Sequence, residues 1–274
     1  MTSDFFKYQA QSTPHPLAMT ISHAEGSYIY DTNQKAYLDF VAGVSACSLG
    51  HRHPKVIEAI KNQLDKYLHV MVYGEYIQEP AVELTKLLAS HLPKPLEKTY
   101  LTNSGTEAID GALKLARRVT GRSEIIAAHH AYHGNTMGAL SVMGFEERKQ
   151  VFRPLIPDVK FITFNAQEEL SQITTKTADV ILETIQGGAG FIEPKDGYLE
   201  KVRKQCDAVG ALLILDEIQP GIGRTGKLFG FEKIEKLKFD DDDNDDHGDH
   251  DDHDDDHDDH HEEDVHHAEQ TSVE

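Results

Sequence analysis

The chain has 274 residues, of which 47 are acidic and 27 basic, and its formal net charge is −20. Residues 240–274 hold 15 Asp, 4 Glu and 8 His but no Lys or Arg, so residues 1–239 are nearly neutral, with 28 acidic and 27 basic side chains. This balance disfavours nucleic-acid binding through a basic surface. No apolar run approaches the roughly 20 residues of a membrane span, and the first residues do not resemble a signal peptide. We therefore expect a cytoplasmic protein that binds neither membrane nor nucleic acid.

The chain contains two cysteines, Cys47 and Cys206. They lie far apart in the sequence and in ordinary contexts. Their number and spacing predict neither a disulfide framework nor a zinc site.

The amino-terminal part begins with residues 1–25, for which we predict an irregular arm. Two short β-branched and aromatic segments within residues 27–40 flank a polar turn, which predicts a hairpin. Pro54 begins a segment with apolar residues at helical spacing up to Leu68, and a second helix is predicted from Pro80 to His91.

From residue 98 onward the pattern alternates between strands and helices. A short strand is predicted at 99–102, and a helix follows at 104–119, where Ser104 precedes Glu107 by three residues, a capping-box spacing. Further predicted elements are buried strands at 125–128, 160–163, 179–182 and 211–215, with a helix at 197–209. This alternation is typical of an α/β fold with a mostly parallel sheet, in which ligands bind at the carboxyl ends of the strands.

Residues 103–108, Asn-Ser-Gly-Thr-Glu-Ala, connect a predicted strand to a predicted helix. The free amide groups and the positive end of the helix, together with the hydroxyls of Ser104 and Thr106, would suit a phosphate group. A simple helix N-cap explains the same residues equally well.

Asp216 ends the apolar run Ala-Leu-Leu-Ile-Leu, which places a carboxylate at the tip of a buried strand. Such a carboxylate needs a cation or a donor, and either a protonated ring nitrogen or nearby backbone amides would serve. Residues 129–134, His-His-Ala-Tyr-His-Gly, follow another strand and offer an aromatic face and donors. His129 and His133 would suit a metal only on a helix, which Gly134 argues against.

Residues 221–226, Gly-Ile-Gly-Arg-Thr-Gly, fit the G-x-G-x-x-G pattern of dinucleotide-binding proteins. That motif should follow its strand directly and begin a helix. Here four residues intervene and no amphipathic helix follows, so we expect no dinucleotide site.

Five motifs together resemble a known family. They are Leu-Gly-His-Arg-His-Pro at 49–54, Asn-Ser-Gly-Thr-Glu-Ala at 103–108, His-Ala-Tyr-His-Gly at 130–134, Glu-Thr-Ile-Gln-Gly at 183–187, and Leu-Asp-Glu-Ile-Gln at 215–219 followed by Gly-Ile-Gly-Arg-Thr-Gly. In this order they resemble class III aminotransferases, pyridoxal-phosphate enzymes of fold type I that include acetylornithine, ornithine and 4-aminobutyrate enzymes. The resemblance covers about residues 15–232.

The resemblance implies an incomplete fold type I large domain, with a mostly parallel sheet and flanking helices. It further implies transfer of an amino group from an amino donor to a 2-oxo acid through pyridoxal 5′-phosphate (PLP), and a homodimer in the intact family. It assigns eight residues to the cofactor: Ser104, Gly105 and Thr106 at the phosphate, Tyr132 stacked on the ring, Ile218 packed on it, Gln219 at the ring hydroxyl, Asp216 at the ring nitrogen and Glu183 nearby.

The family's Schiff-base lysine, which binds the cofactor covalently and shuttles a proton, lies beyond the region of residues 219–226. Here the resemblance ends at Glu232, and the lysines that follow, Lys233, Lys236 and Lys238, match no motif. We therefore predict that the chain lacks this lysine and is inactive alone.

Substrate recognition also departs from the family. The substrate-carboxylate arginine of the small domain has no counterpart, and Arg224 is an exposed-loop arginine that could contact a carboxylate, although a structural ion pair is an alternative role. Gly188 stands where ornithine-type members have Glu, which disfavours ornithine as the donor.

We divide the chain into an amino-terminal arm, hairpin and helix (1–75), a partial PLP-binding domain (76–232) and an Asp/His-rich tail (233–274). Low apolar content and charge repulsion predict a disordered tail. Its histidines and carboxylates could bind divalent metal ions such as zinc weakly, which gives an alternative function as a non-catalytic metal-binding scaffold. A solvated low-complexity tail and a change of reading frame are further explanations. The candidate metal ligands are His247, His250, His253, His257, His260 and His261.

Overall fold

The structure, a computed structural model, describes residues 2–71 and 74–234. The helices are α1 (Thr2–Tyr8), α2 (Pro54–Leu64), α3 (Glu79–His91), α4 (Gly105–Thr120), α5 (Met137–Val142), α6 (Glu146–Lys149) and α7 (Tyr198–Val209). The strands are β1 (Ile21–Glu25), β2 (Tyr28–Asp31), β3 (Ala36–Leu38), β4 (Glu124–Ala128), β5 (Val159–Ile162), β6 (Thr177–Glu183) and β7 (Leu212–Asp216). Short 3₁₀ turns lie at Gln150–Phe152, Gln167–Gln172 and Gly230–Lys233.

Strands β4 to β7 form a parallel sheet in the order β5-β4-β6-β7. The four predicted strands and the helix at 197–209 are therefore confirmed, as is the α/β class. Only the two central strands, β4 and β6, are buried throughout, because β5 and β7 lie at the edges of the sheet and are partly exposed. The strands were predictable because a strand that helices cover on both faces is a short continuous apolar run.

The sheet separates two layers of core. Ile125 and Ala127 of β4 pack in a cluster with residues of α4 and α5, whereas Ile126 and Ala128 pack in a second cluster with Leu199 and other residues of α7. Alternate side chains of a strand point to opposite faces, so one strand contributes to both layers. The helices thus cover both faces and leave the carboxyl edge of the sheet for the loops.

Helix α4 begins and ends as its sequence predicts. The Ser104 Oγ accepts a hydrogen bond from the Glu107 amide at 3.3 Å, and the Glu107 carboxylate accepts one from the Asn103 amide at 2.9 Å. Gly121 ends the helix in the left-handed conformation, with φ of 67°. These caps fix where the first turn of α4 points its free amide groups.

The predicted hairpin is confirmed as β2 and β3, which form an antiparallel sheet with β1 in the order β1-β2-β3. Helices α2 and α3 are also confirmed, although α2 ends at Leu64 rather than near Leu68, and neither contains a buried residue. Two predictions are wrong. The predicted irregular arm contains a helix, α1, at residues 2–8 and a strand, β1, at residues 21–25, and residues 99–102 do not form a strand.

Both errors have a physical cause. A strand needs a partner for its backbone groups, and β1 acquires one from β2, which its own residues do not reveal. For residues 99–102, by contrast, the described part of the chain supplies no neighbouring strand, and Tyr100 is 83% exposed.

The described residues also show the state of the two cysteines and of residues 221–226. Cys47 and Cys206 are free. Gly221–Gly226 lies in turns, and the next element is the 3₁₀ turn at Gly230–Lys233, so no helix follows the G-x-G-x-x-G pattern. Among residues 2–71 and 74–234, no helix is long and apolar enough to cross a membrane.

Asp179 is a buried carboxyl group in the core of the sheet. It lies on β6 between Ile125 of β4 and Leu212 of β7, and neither of its carboxylate oxygens has a hydrogen-bond partner among the described residues. Burial raises the pKa of Asp179 from 3.8 to about 7, although the positive charge of Arg117 opposes this shift. The sheet therefore contains an acid that prefers its neutral form.

We expect Asp179 to reduce stability as the pH rises. In the unfolded chain it loses its proton near pH 4, but in the folded protein only near pH 7, so the free energy of unfolding falls between these values. A shift of about three pKa units corresponds to roughly 4 kcal/mol at most. Urea unfolding from pH 4 to pH 8 should show this loss in the wild type and not in Asp179→Asn, while exposed Asp65→Asn should behave as the wild type. Equal pH dependence in all three proteins would contradict the assignment.

Candidate functional site

A cavity of about 730 Å³ lies at the carboxyl edge of the parallel sheet. Of the eight residues assigned to the cofactor from the sequence, the following seven line it: Gly105, Thr106, Tyr132, Glu183, Asp216, Ile218 and Gln219. Ser104 is not among the lining residues, and its hydroxyl caps α4 instead. The cavity thus brings together segments that are more than 100 residues apart in the sequence.

The first turn of α4 forms one wall. The leading amide groups of a helix have no partner within it, and they carry its positive partial charge. Gly105 and Thr106 supply these amides. A Cβ at Gly105 would lie 2.6 Å from Ile218 Cδ1, and one at Gly134, whose φ is +127°, would collide with the Thr106 side chain. The two glycines therefore permit a close approach of backbone that leaves room for a phosphate group.

The Thr106 hydroxyl is already held within the wall. Its Oγ1 lies 2.7 Å from the Thr136 Oγ1 and accepts a hydrogen bond from the Thr136 amide at 3.1 Å. This contact joins the start of α4 to the loop before α5, and so fixes the hydroxyl beside the free amides.

Two buried carboxylates lie side by side at the inner end of the cavity. Glu183 and Asp216 are the last residues of β6 and β7, and the parallel register pairs them directly. Each is only 5% exposed. Buried carboxylates are costly without donors, so the partners of each one define what the site can do.

Glu183 is satisfied by the backbone. Its two carboxylate oxygens accept hydrogen bonds from the Tyr132 amide and the Gly187 amide, both at 2.9 Å. Burial raises the pKa of Glu183 above its usual value, although these two bonds oppose the shift. Glu183 therefore holds two loops in place, one of which carries the aromatic ring of Tyr132.

Asp216 is satisfied by one side chain and one backbone group. Its Oδ2 accepts a hydrogen bond from the His133 Nδ1 at 2.8 Å, and its Oδ1 accepts one from the Ile218 amide at 3.0 Å. His133 is itself buried, and its Nε2 has no hydrogen-bond partner among the described residues. Both partners considered from the sequence, a cation or donor and a backbone amide, thus contribute.

The remaining assigned residues surround the space above these carboxylates. Tyr132 is 39% exposed, and the Asn135 side-chain amide donates a hydrogen bond to its hydroxyl at 3.2 Å. The Gln219 side chain lies so close to Gly187 that a Cβ there would collide with it. The cavity therefore offers an aromatic face, an amide and a buried acid around one space.

The loop between β3 and α2 forms another wall. Gly43, Val44 and Ala46 line the cavity, and the Arg224 Nε donates a hydrogen bond to the Ser45 carbonyl at 2.9 Å. Arg224 is not a lining residue, so its observed contact is structural. The alternative role considered from the sequence, a contact with a carboxylate, has no support in the described site.

Several lining residues were not singled out as site residues from the sequence. His133 was noted as a possible donor or metal ligand but not as the partner of Asp216. Asn135, Arg148, Phe191 and the loop at 43–46 were not assigned to the site. The only sequence signal for His133 was its place in a motif next to Tyr132, and the only one for Asn135 was that it follows this motif. Arg148, Phe191 and the loop at 43–46 carry none, because tertiary structure alone brings them to the cavity.

Lysine is absent from the described residues that line the cavity. Lys233 lies in a different cleft, beside Tyr198 and Gly230. Lys236, Lys238 and all the tail residues predicted as metal ligands lie outside the described residues. Among those that are described, no group of His, Cys, Asp and Glu side chains is suited to a metal ion.

Comparison with known proteins agrees with this geometry. Residues 8–240 match the family model described as aminotransferase class-III. The chain belongs to this family. Its sheet and flanking helices are accordingly those of a fold type I PLP-dependent transferase, as expected from the motifs.

The relatives also show how much of the family is represented. The acetylornithine aminotransferase of Methanopyrus kandleri is 42% identical over 217 residues, 78% of this chain and 55% of that protein. The [LysW]-aminoadipate semialdehyde/glutamate semialdehyde transaminase of Sulfolobus acidocaldarius is 40% identical over 215 residues, again 78% and 55%. The crystal structure of the Toxoplasma gondii ornithine aminotransferase matches with a TM-score of 0.76 and 31% identity, over 86% of this chain and 57% of that one. This class III chain therefore spans a little over half the length of these relatives.

We expect the hydrogen bond between His133 and Asp216 to be important for stability. His133→Phe should lower the free energy of unfolding by about 3 kcal/mol, because it removes one partner of a buried charged group. His129→Phe, at an exposed neighbour, should have little effect. In a double-mutant cycle, the total loss in the variant that carries both His133→Phe and Asp216→Asn should be clearly smaller than the sum of the two single losses. Additive losses in urea unfolding would show that the two side chains do not interact.

Proposed function

We propose that the cavity binds PLP, and that the site belongs to an enzyme that transfers an amino group from an amino donor to a 2-oxo acid. The observation that carries the proposal is the meeting of the α4 amino terminus and the buried Asp216 in one cavity. The first suits a phosphate group, and the second suits a protonated ring nitrogen. Few ligands other than PLP present both groups on one small ring.

Each wall would have a separate task. The amides of Gly105 and Thr106 would bind the phosphate, while Tyr132 and Ile218 would enclose the ring. Asp216, oriented by His133 and the Ile218 amide, would hold a proton on the ring nitrogen. When bound, PLP supplies an electron sink for the carbanion of an amino acid substrate, which is the chemistry that transamination needs. Gln219 would donate to the ring hydroxyl.

The proposal also concerns the Schiff-base lysine of the family. The described cavity residues include no lysine, the residue type that would bind the cofactor covalently and then move a proton at the substrate carbon. We therefore expect this chain alone to bind PLP reversibly and not to complete transamination.

A homodimer is the expected assembly. The support is that α2 and α3 have no buried residue, although their apolar residues recur at helical spacing. On α2, Val56, Ile60 and Leu64 are each 43% to 52% exposed. Apolar faces of this kind usually pack against a partner, and a second copy would cover them.

We expect the phosphate-binding wall formed by the first turn of α4 to determine the affinity for the cofactor. Equilibrium dialysis should show that PLP binds at least about tenfold more tightly than pyridoxal, which lacks the phosphate. Gly134→Ala should abolish most of this difference, because the added Cβ collides with Thr106. Gly121→Ala is the matched control, since Gly121 also has a positive φ but has open space around it and lies at the other end of α4. Equal affinities for PLP and pyridoxal would contradict phosphate binding by the first turn of α4.

Borohydride trapping tests the absence of the catalytic lysine. After incubation of the full chain with PLP and reduction, mass spectrometry should find no stoichiometric pyridoxyl adduct at any one lysine. A full-length class III aminotransferase treated in parallel is the positive control. A single stoichiometric adduct at Lys233, Lys236 or Lys238 would contradict the proposal and would identify an alternative catalytic lysine.

A further inference from the structure

Arg148 is the only lysine or arginine among the described residues that line the cavity. It lies on α6 and is exposed, whereas the two acids of the same cavity, Glu183 and Asp216, are buried. Those acids already have donors for their oxygens. The fixed positive charge of Arg148 is therefore not needed to neutralise them.

Two acids precede Arg148 on the same helix, and neither forms an ion pair with it. Glu147 is its direct neighbour in the sequence, and Glu146 accepts hydrogen bonds from Arg153 at 2.6 and 3.1 Å and lies 3.8 Å from the Lys149 Nζ. Among the described residues, no carboxylate forms an ion pair with Arg148. Its guanidinium thus retains its capacity to bind an anion in two places at once.

Aromatic packing positions this guanidinium. It lies over the Phe145 ring, 4.7 Å from the ring centroid, a cation–π contact. The same ring packs beside Gly188, where an added Cβ would lie 3.3 Å from Phe145 Cε2 and 3.4 Å from Tyr132 Cβ. Phe145 therefore links Arg148 to the wall that carries Tyr132, and a larger residue at Gly188 would disturb this arrangement.

We propose that Arg148 binds a carboxylate of the amino donor or of the 2-oxo acid, and so acts as a specificity-determining residue of this site. The inference rests on the proposed function, which requires an anionic substrate in this cavity. Val44, Phe191 and Ile218 also line the cavity and are exposed, so they would contact the aliphatic part of such a ligand. A carboxylic acid with a short carbon chain fits this combination of one cation and apolar walls.

Glutarate is a suitable probe, because it has two carboxylates and a short carbon chain but no carbonyl or amine that could react. Isothermal titration of the full chain with glutarate, in the presence and absence of PLP, should show binding that Arg148→Gln weakens by about tenfold or more. The glutarate affinity of Arg148→Lys should lie between those of the wild type and Arg148→Gln, because lysine keeps the charge but loses the bidentate geometry. Glutaramide, the neutral analogue, should bind wild type and variant alike.

Arg118→Gln is the matched control. Arg118 is an exposed arginine in the last turn of α4, roughly 20 Å along the helix from Gly105, and its loss should leave glutarate affinity unchanged. PLP affinity should stay within about twofold of the wild type in all variants, and their circular dichroism spectra should match.

The two proposals fail in different ways. If glutarate binds wild type and Arg148→Gln equally, or binds neither, the role of Arg148 is refuted, whatever PLP does. If PLP does not bind the wild type, the proposed function is refuted, while the glutarate titrations of the cofactor-free chain still decide the role of Arg148.

Discussion

The parallel register between β6 and β7 is the constraint on which the site depends. It places Glu183 and Asp216 side by side at the carboxyl edge of the sheet, where both are buried. Two adjacent carboxylates in such a place require donors. The donors come from three separate loops, through the amide of Tyr132, the side chain of His133, and the amides of Gly187 and Ile218. By meeting the needs of these two acids, the chain fixes the loops that form the cavity.

Much of this arrangement was predictable from the sequence, since it depends on local patterns and on one topological rule. Apolar runs predicted the four strands of the parallel sheet, and a Ser-x-x-Glu spacing predicted the start of α4. Loops that follow parallel strands meet at the same edge of a sheet. Residues such as Thr106 and Asp216, each directly after a strand or near a helix start, could therefore be expected in one site. The resemblance to class III aminotransferases then indicated the type of ligand.

The failures share a cause, which is that a local pattern does not specify a distant partner. The contact between His133 and Asp216 joins residues 83 positions apart, and neither motif indicates the other. Residues 99–102 have strand-forming composition, but no described strand supplies their backbone bonds. Ser104 was assigned to both a cap and a phosphate contact, and the structure shows the cap. The assignment of residues to PLP and the division at residues 75 and 232 stay predictions.

The distribution of charge within the cavity limits the chemistry further. The α4 amino terminus offers positive partial charge at one wall, Asp216 offers negative charge at the buried end, and Arg148 offers a full positive charge on an exposed part of the lining. A cofactor with a phosphate group and a basic ring nitrogen would pair with the α4 amino terminus and with Asp216, and would leave Arg148 without a partner from the cofactor. In the proposed role of Arg148, an amino acid or an oxo acid would use this charge, whereas an amine without a carboxylate would leave it to water. The proposal thus separates anionic substrates from simple amines through a side chain other than those proposed to hold the cofactor.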